Sequence, residues 1–166
     1  MSGVQLKTAA ELALQREAGR LLTQVFAMLD TAITAGISTL QINELAERYI
    51  VDELQARPAS KGQYGFAFVL NTSVNDVVCH GVPSATQLLK DGDIVNVDIT
   101  LEKHGFIADS SKMYLIGEVA PAAFPGPHGA RIEVRDLIVP DALGAQLERQ
   151  LDLRRVSVCV KAGRRG

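Results

Sequence analysis

Tryptophan is absent from this 166-residue chain, and aromatic residues of all kinds make up only 5% of it. A sugar-cleaving site built on paired carboxylates needs an aromatic-lined cleft, so a glycosidase is disfavoured. Cysteine is scarce as well: Cys79 and Cys159 allow at most one bridge, and free thiols in a reducing cytoplasm are the expectation. Cys79 is a poor nucleophile candidate, because its histidine neighbour is sequential rather than placed across a fold. No apolar run approaches the roughly 18 residues that a membrane span requires. Met1 to Lys7 lacks a basic segment followed by an apolar core, so no secretory signal is expected. With a net charge of -2 the chain has no basic excess to draw it to nucleic acid or to a membrane, and neither is expected as a partner. The glycines at 62, 65, 81, 92 and 105 read as turn punctuation, and none belongs to a phosphate-binding loop.

What is present suits a single soluble domain with a sizeable core, since 47% of the residues are apolar. Thr8-Ala9-Ala10-Glu11 has the form of a capping box, and Leu14, Ala18, Leu21, Leu22, Val25 and Leu29 follow as an apolar stripe that ends before Gly36. Ser38-Thr39-Leu40-Gln41 opens a second helix, with Ile42, Leu45, Ala46, Tyr49 and Leu54 on its core side and Pro58 just beyond its end. These helices are expected to cover one face of a sheet. A polar connection from Arg57 to Gly65 then leads to strands expected at Phe66 to Leu70 and Ser73 to Val78, joined by a tight turn at Asn71-Thr72.

The most informative residues are two aspartates in neighbouring strand-like runs. In Ile94 to Leu101, alternation puts Val95, Val97, Ile99 and Leu101 on one face and Asn96, Asp98 and Thr100 on the other. In Phe106 to Ile116, Ile107, Asp109, Ser111 and Met113 share a face. A hairpin joins the runs, with Gly105 free to adopt a positive φ. A loop of four residues, Glu102 to Gly105, sets Asp98 opposite Asp109. A loop of only His104-Gly105 pairs Asp98 with Ser111 and makes Asp109 its diagonal neighbour on the same face, about 7 Å away. A three-residue loop separates the aspartates onto opposite faces. Neighbouring carboxylates repel, so a divalent cation or a shared proton is expected between them, although polar strand faces commonly just meet water.

The surrounding residues sharpen this. Asn71-Thr72-Ser73-Val74-Asn75-Asp76-Val77-Val78-Cys79-His80-Gly81-Val82-Pro83 is followed by Leu89-Lys90-Asp91-Gly92-Asp93-Ile94-Val95-Asn96-Val97-Asp98. Gly105-Phe106 then precedes Asp109, and Ser110-Ser111-Lys112-Met113 follows it. In this order and spacing the chain closely resembles the first half of a type I methionine aminopeptidase, densely from Asn71 to Gly117 and more weakly back to the amino terminus. The resemblance implies an α+β fold, a partial pita-bread (creatinase/aminopeptidase-like) architecture in which two helices cover an antiparallel sheet. It implies that Asp98 and Asp109 are ligands of a centre of two divalent metal ions, cobalt, manganese, iron or zinc. It implies that His80 contacts the substrate and helps to stabilise the tetrahedral intermediate, and that Phe66 is an aromatic wall of the methionine pocket. Asn71 departs from the pattern, standing where many members have cysteine. The implied activity is cytoplasmic, metal-dependent removal of N-terminal methionine from nascent proteins.

The family's remaining groups, a histidine ligand, a bridging glutamate and a glutamate that manages the proton, are not recognisable downstream of Asp109. The nearest match to the histidine motif, Pro127-His128-Gly129-Ala130-Arg131, lacks its context, and His128 reads as an ordinary loop residue. Resemblance stops near Ala123, which divides the chain into residues 1–120, half of a catalytic domain, and a divergent tail, residues 121–166. Before Phe124 the chain has four arginines and five lysines, and from Phe124 onwards seven arginines and one lysine. A disrupted reading frame is one hypothesis for that shift; coding DNA in which no other frame encodes the missing motifs would exclude it. The rival is a genuine tail, with a helix on the Leu143, Leu147, Leu151 stripe and an edge strand on Val156, Val158 and Val160. Activity is accordingly expected to be impaired or absent in this shortened chain. The alternative function is a non-catalytic metal-binding or interaction module that self-associates through its exposed sheet edge.

Overall fold

The computed structural model describes residues 6–120 of the chain. The tail helix and strand expected after Leu143, together with His128 and Cys159, lie outside the described residues. The elements run α1 (Ala9–Ala32), α2 (Thr39–Arg48), β1 (Arg57–Pro58), β2 (Leu70–Val74), β3 (Ile94–Lys103) and β4 (Phe106–Leu115).

Both helices start where the local chemistry requires. Thr8 accepts from the Glu11 amide, and the Glu11 carboxylate accepts from the Thr8 amide at 2.6 Å. That amide bond, followed by the bond from the Thr8 hydroxyl, holds the Glu11 carboxyl below its ordinary value. Ser38 and Gln41 repeat the reciprocal arrangement at the head of α2. The second helix does not continue regularly to Leu54 as expected. It passes at Tyr49 into a π-helical turn, Tyr49–Glu53, and the freed carbonyls of Leu54 and Gln55 accept from Lys103 Nζ at 3.0 and 2.6 Å.

Strand β3 is the centre of the antiparallel sheet, with β4 on one side and with β2 and the short β1 along the other. Its alternation is as expected: Val95, Val97, Ile99 and Leu101 are fully buried, and the residues between them only partly so. The buried row packs with Leu22, Val25 and Leu29 of α1 and with Ile42 and Ala46 of α2 in one core. Two polar contacts fix α1 over β4. Near one end Gln15 Nε2 donates to the Ile107 carbonyl at 2.6 Å, and at the other Lys112 Nζ meets both Asp30 oxygens at 2.6 and 2.7 Å. Beyond Lys112 on β4, Tyr114 is buried, and burial, reinforced by the negative charge of Asp30, raises its hydroxyl pKa far above the usual 10.0. Asn43, itself 3% exposed, accepts the Val69 amide at 2.8 Å and ties α2 to the entrance of β2.

The expected hairpin around Asn71-Thr72 is not formed. Leu70–Val74 is one unbroken strand, with Asn71 opposite Asp98 and Thr72 opposite Val97. The chain turns instead after Val74. Asn75, at φ 53°, bonds through its backbone to the Ile94 carbonyl at 2.9 Å and through its side chain to the Ile94 amide and to Asp93. A side chain able to mimic a backbone turn and to tolerate the left-handed region decides where the strand ends.

Candidate functional site

The loop between β3 and β4 is the two residues His104 and Gly105, at φ 54° and 81°. Two successive positive φ values make the tight turn whose twist matches the flanking strands. The register follows: Asp98 stands opposite Ser111 and Thr100 opposite Asp109. Of the arrangements open in the sequence, the diagonal one is therefore adopted, with the carboxylates on one face at the roughly 7–8 Å typical of diagonal positions.

That face is the one turned away from the helices. Directly paired residues share a face, so Asn71, Asp98 and Ser111 form one row across three strands, with Ser73, Asn96 and Met113 in the row on one side and Thr100 with Asp109 in the row on the other. Asp98 and Asp109 are both half-buried. Thr100 Oγ1 donates to Asp109 Oδ1 at 3.0 Å, which orients that carboxylate and leaves its second oxygen for a cation. Thr100 was identifiable in the sequence as a neighbour on the polar face, but its role as the group that orients Asp109 depends on register.

His80 lies in the loop after β2, exposed and at φ 56°. Gly81 attaches this loop to the free side of β2: the Thr72 amide donates to the Gly81 carbonyl at 2.8 Å, and the Gly81 amide donates to Ser73 Oγ at 3.2 Å. Gly81 is more than the turn punctuation expected of it, because a Cβ there would lie 2.0 Å from the Thr72 carbonyl oxygen. Phe66 leads into β2 half-buried, with its ring edge-on to Phe68 at 5.7 Å between centroids. That contact does not tie it to the carboxylates.

As a donor set, Asp98 and Asp109 offer the hard oxygens that suit a divalent cation. Among the described residues no group of three or more His, Cys, Asp or Glu stands together, so the fit is to part of a metal cage. No helix among the described residues is long and apolar enough to cross a membrane.

Comparison with known proteins agrees with this architecture. The model of metallopeptidase family M24 matches residues 13–148. The methionine aminopeptidase of Escherichia coli strain K12 is 41% identical over 115 residues, which are 69% of this chain and 44% of that protein. That of Haemophilus influenzae is 39% identical over 114 residues, 69% of this chain and 42% of the other. The chain thus spans less than half the length of these curated relatives. Among solved structures, methionine aminopeptidase from Rickettsia prowazekii superposes with a TM-score of 0.69 at 33% identity, covering 72% of this chain and 48% of that one. An Xaa-Pro dipeptidase from Bacillus anthracis, 20% identical with a TM-score of 0.59, shares the fold. The described residues are therefore part of a pita-bread α+β fold with an open antiparallel sheet covered by helices, and the chain belongs to metallopeptidase family M24.

Proposed function

We propose that residues 1–120 are the N-terminal half of a cytoplasmic metalloaminopeptidase domain that removes methionine from the amino terminus of nascent chains, and that residues 121–166 are a separate tail. Asp98 and Asp109 are two ligands of its dinuclear centre, His80 meets the peptide, and Phe66 contributes to the side-chain pocket. The observation that supports this best is the register: it sets both carboxylates on one open face, one of them oriented by Thr100. A bound cobalt, manganese, iron or zinc ion supplies Lewis acidity towards a peptide carbonyl. The chain's own part is to fix the two carboxylates and to present an imidazole from the edge of β2.

Two carboxylates alone make a weak site, so calorimetric titration of the 166-residue chain with manganese is expected to give a dissociation constant on the order of 10⁻⁴ to 10⁻³ M, the weak end for carboxylate sites. Asp98→Ala and Asp109→Ala are each expected to weaken binding at least ten-fold, and a Met-Gly peptide to show no turnover above the blank. Unchanged manganese affinity in both variants would remove the metal-ligand reading. Turnover abolished by Asp98→Ala, with contaminating enzyme excluded, would overturn the inactivity and place the remaining ligands outside residues 6–120.

A second reading has its own observation. Strand β4 has no strand partner on its outer side among the described residues, and Ile107, Met113 and Leu115 are 44%, 41% and 49% exposed. An open edge of this kind invites strand addition, here by a second copy of the chain. Light scattering at high concentration is expected to show dimers; a strict monomer would exclude self-association.

A further inference from the structure

We infer that Ser73 is a positioning residue that aims His80 at the carboxylate face by clamping Gly81. The inference rests on the reading of His80 as the group that meets the peptide. His80 cannot be aimed by packing alone, because it stands in an exposed run with Val77, Val78 and Cys79, and Val78 is 94% exposed. Its direction is set by two anchors at the ends of that run. Upstream, Asn75 is bonded to Ile94 and Asp93 at the start of β3. Downstream, Gly81 is held against β2 through the Thr72 amide and through Ser73 Oγ.

The two bonds at Gly81 do different things. The bond from the Thr72 amide lies along the edge of the sheet and fixes how far the loop stands from β2. The bond to Ser73 adds a choice of side. Ser73 stands directly opposite Asn96 and so belongs to the face that carries Asp98 and Asp109. Ser73 is 5% exposed, and its hydroxyl, an acceptor on that face, takes the Gly81 amide. The bond to Ser73 therefore holds the Gly81 amide, next to His80 in the chain, from the carboxylate side of β2, while the chain beyond it is bonded at Ser84 to Thr39 and Leu40 of α2. His80 comes immediately before this anchor, already in the left-handed backbone region that few side chains adopt.

The test uses the full ¹⁵N-labelled chain with Ser73→Ala and Ser73→Thr, reading amide hydrogen exchange at Gly81 and ¹⁵N relaxation at His80. Ser73→Ala is expected to speed exchange at Gly81 roughly 2- to 10-fold, as for the loss of one hydrogen bond, and to increase the mobility of His80. The Val97 and Ile99 amides should keep their wild-type exchange, and Ser73→Thr should restore both readouts. Unchanged exchange and relaxation in Ser73→Ala would overturn the proposal, and so would a uniform rise across the β3 amides, which marks general destabilisation. A separate titration of the zinc-loaded wild-type chain with Met-Gly-Met follows the His80 ring resonances. Resonances that stay still would count against the substrate-facing reading of His80, while the exchange result would still decide whether the clamp exists.

Discussion

Gly81→Ala is expected to pull the His80 loop off β2 and to lower stability by about 1–3 kcal/mol, the usual penalty for forcing a methyl group into occupied space. The added carbon would lie 2.0 Å from the Thr72 oxygen, 2.6 Å from its carbonyl carbon and 2.9 Å from Ser73 Cα. All three are backbone atoms of a strand held in register with β3. The strand cannot yield without breaking its ladder, so the loop must. Its departure breaks the bond from Thr72, a residue 1% exposed, and the bond to Ser73. Urea unfolding should show the loss, and exchange at the Thr72 amide should accelerate. A variant with the wild-type midpoint and a still-protected Thr72 amide would mean that the loop does not touch the strand.

The parts of this fold that were legible in the sequence are those whose causes are local. Each capping box closes over three residues, and Thr8 with Glu11 and Ser38 with Gln41 form as their spacing requires. Alternation in β3 assigned the core face correctly because a strand has only two faces to choose between. The same alternation could not choose between a four-residue and a two-residue hairpin. Those registers differ by two positions, so every side chain keeps its face in both. Turn chemistry decides instead: histidine is among the residues that enter the left-handed region, and His104-Gly105 supplies two successive positive φ values.

What could not be read was set by partners distant in sequence. Asn71 and Thr72 have turn-like side chains, yet they lie inside β2, paired with Asp98 and Val97 on one side while Thr72 also bonds Gly81 on the other. Local propensity yields to a ladder on one edge and a strap on the other. The close approach of Gly81 to Thr72 was hidden for the same reason. Asp98 and Asp109 show a third kind of limit. Pattern placed each on the polar face of its own strand and left to the loop whether those faces coincide; a polar face alone does not separate a ligand from a solvated residue, and the ligand role is proposed from the resemblance that the surrounding motifs carry.

Strand β3 has one face buried in the core and one that carries the proposed ligand Asp98, and substitutions on the two faces of the sheet are expected to diverge. Ile99→Ala should lower stability by roughly 2–5 kcal/mol. Ile99 is fully buried, lies between Leu70 and Ser110 in the central strand, and belongs to the core that both helices cover. Asp109→Asn, on the opposite face of the neighbouring strand, should change stability by no more than about 0.5 kcal/mol. The amide oxygen can still accept from Thr100, and one of two nearby like charges is removed. Manganese is expected to reverse the ranking, because a cation that binds the folded chain stabilises it by an increment that grows with its affinity. Urea unfolding with and without manganese should show Ile99→Ala keeping the cation's stabilising increment on a lowered baseline. Asp109→Asn should keep the baseline and lose the increment. A baseline loss in Asp109→Asn as large as that in Ile99→Ala would make the carboxylate part of the scaffold. The divergence is expected because the period of two that buries Ile99 is what leaves the carboxylates on the open face.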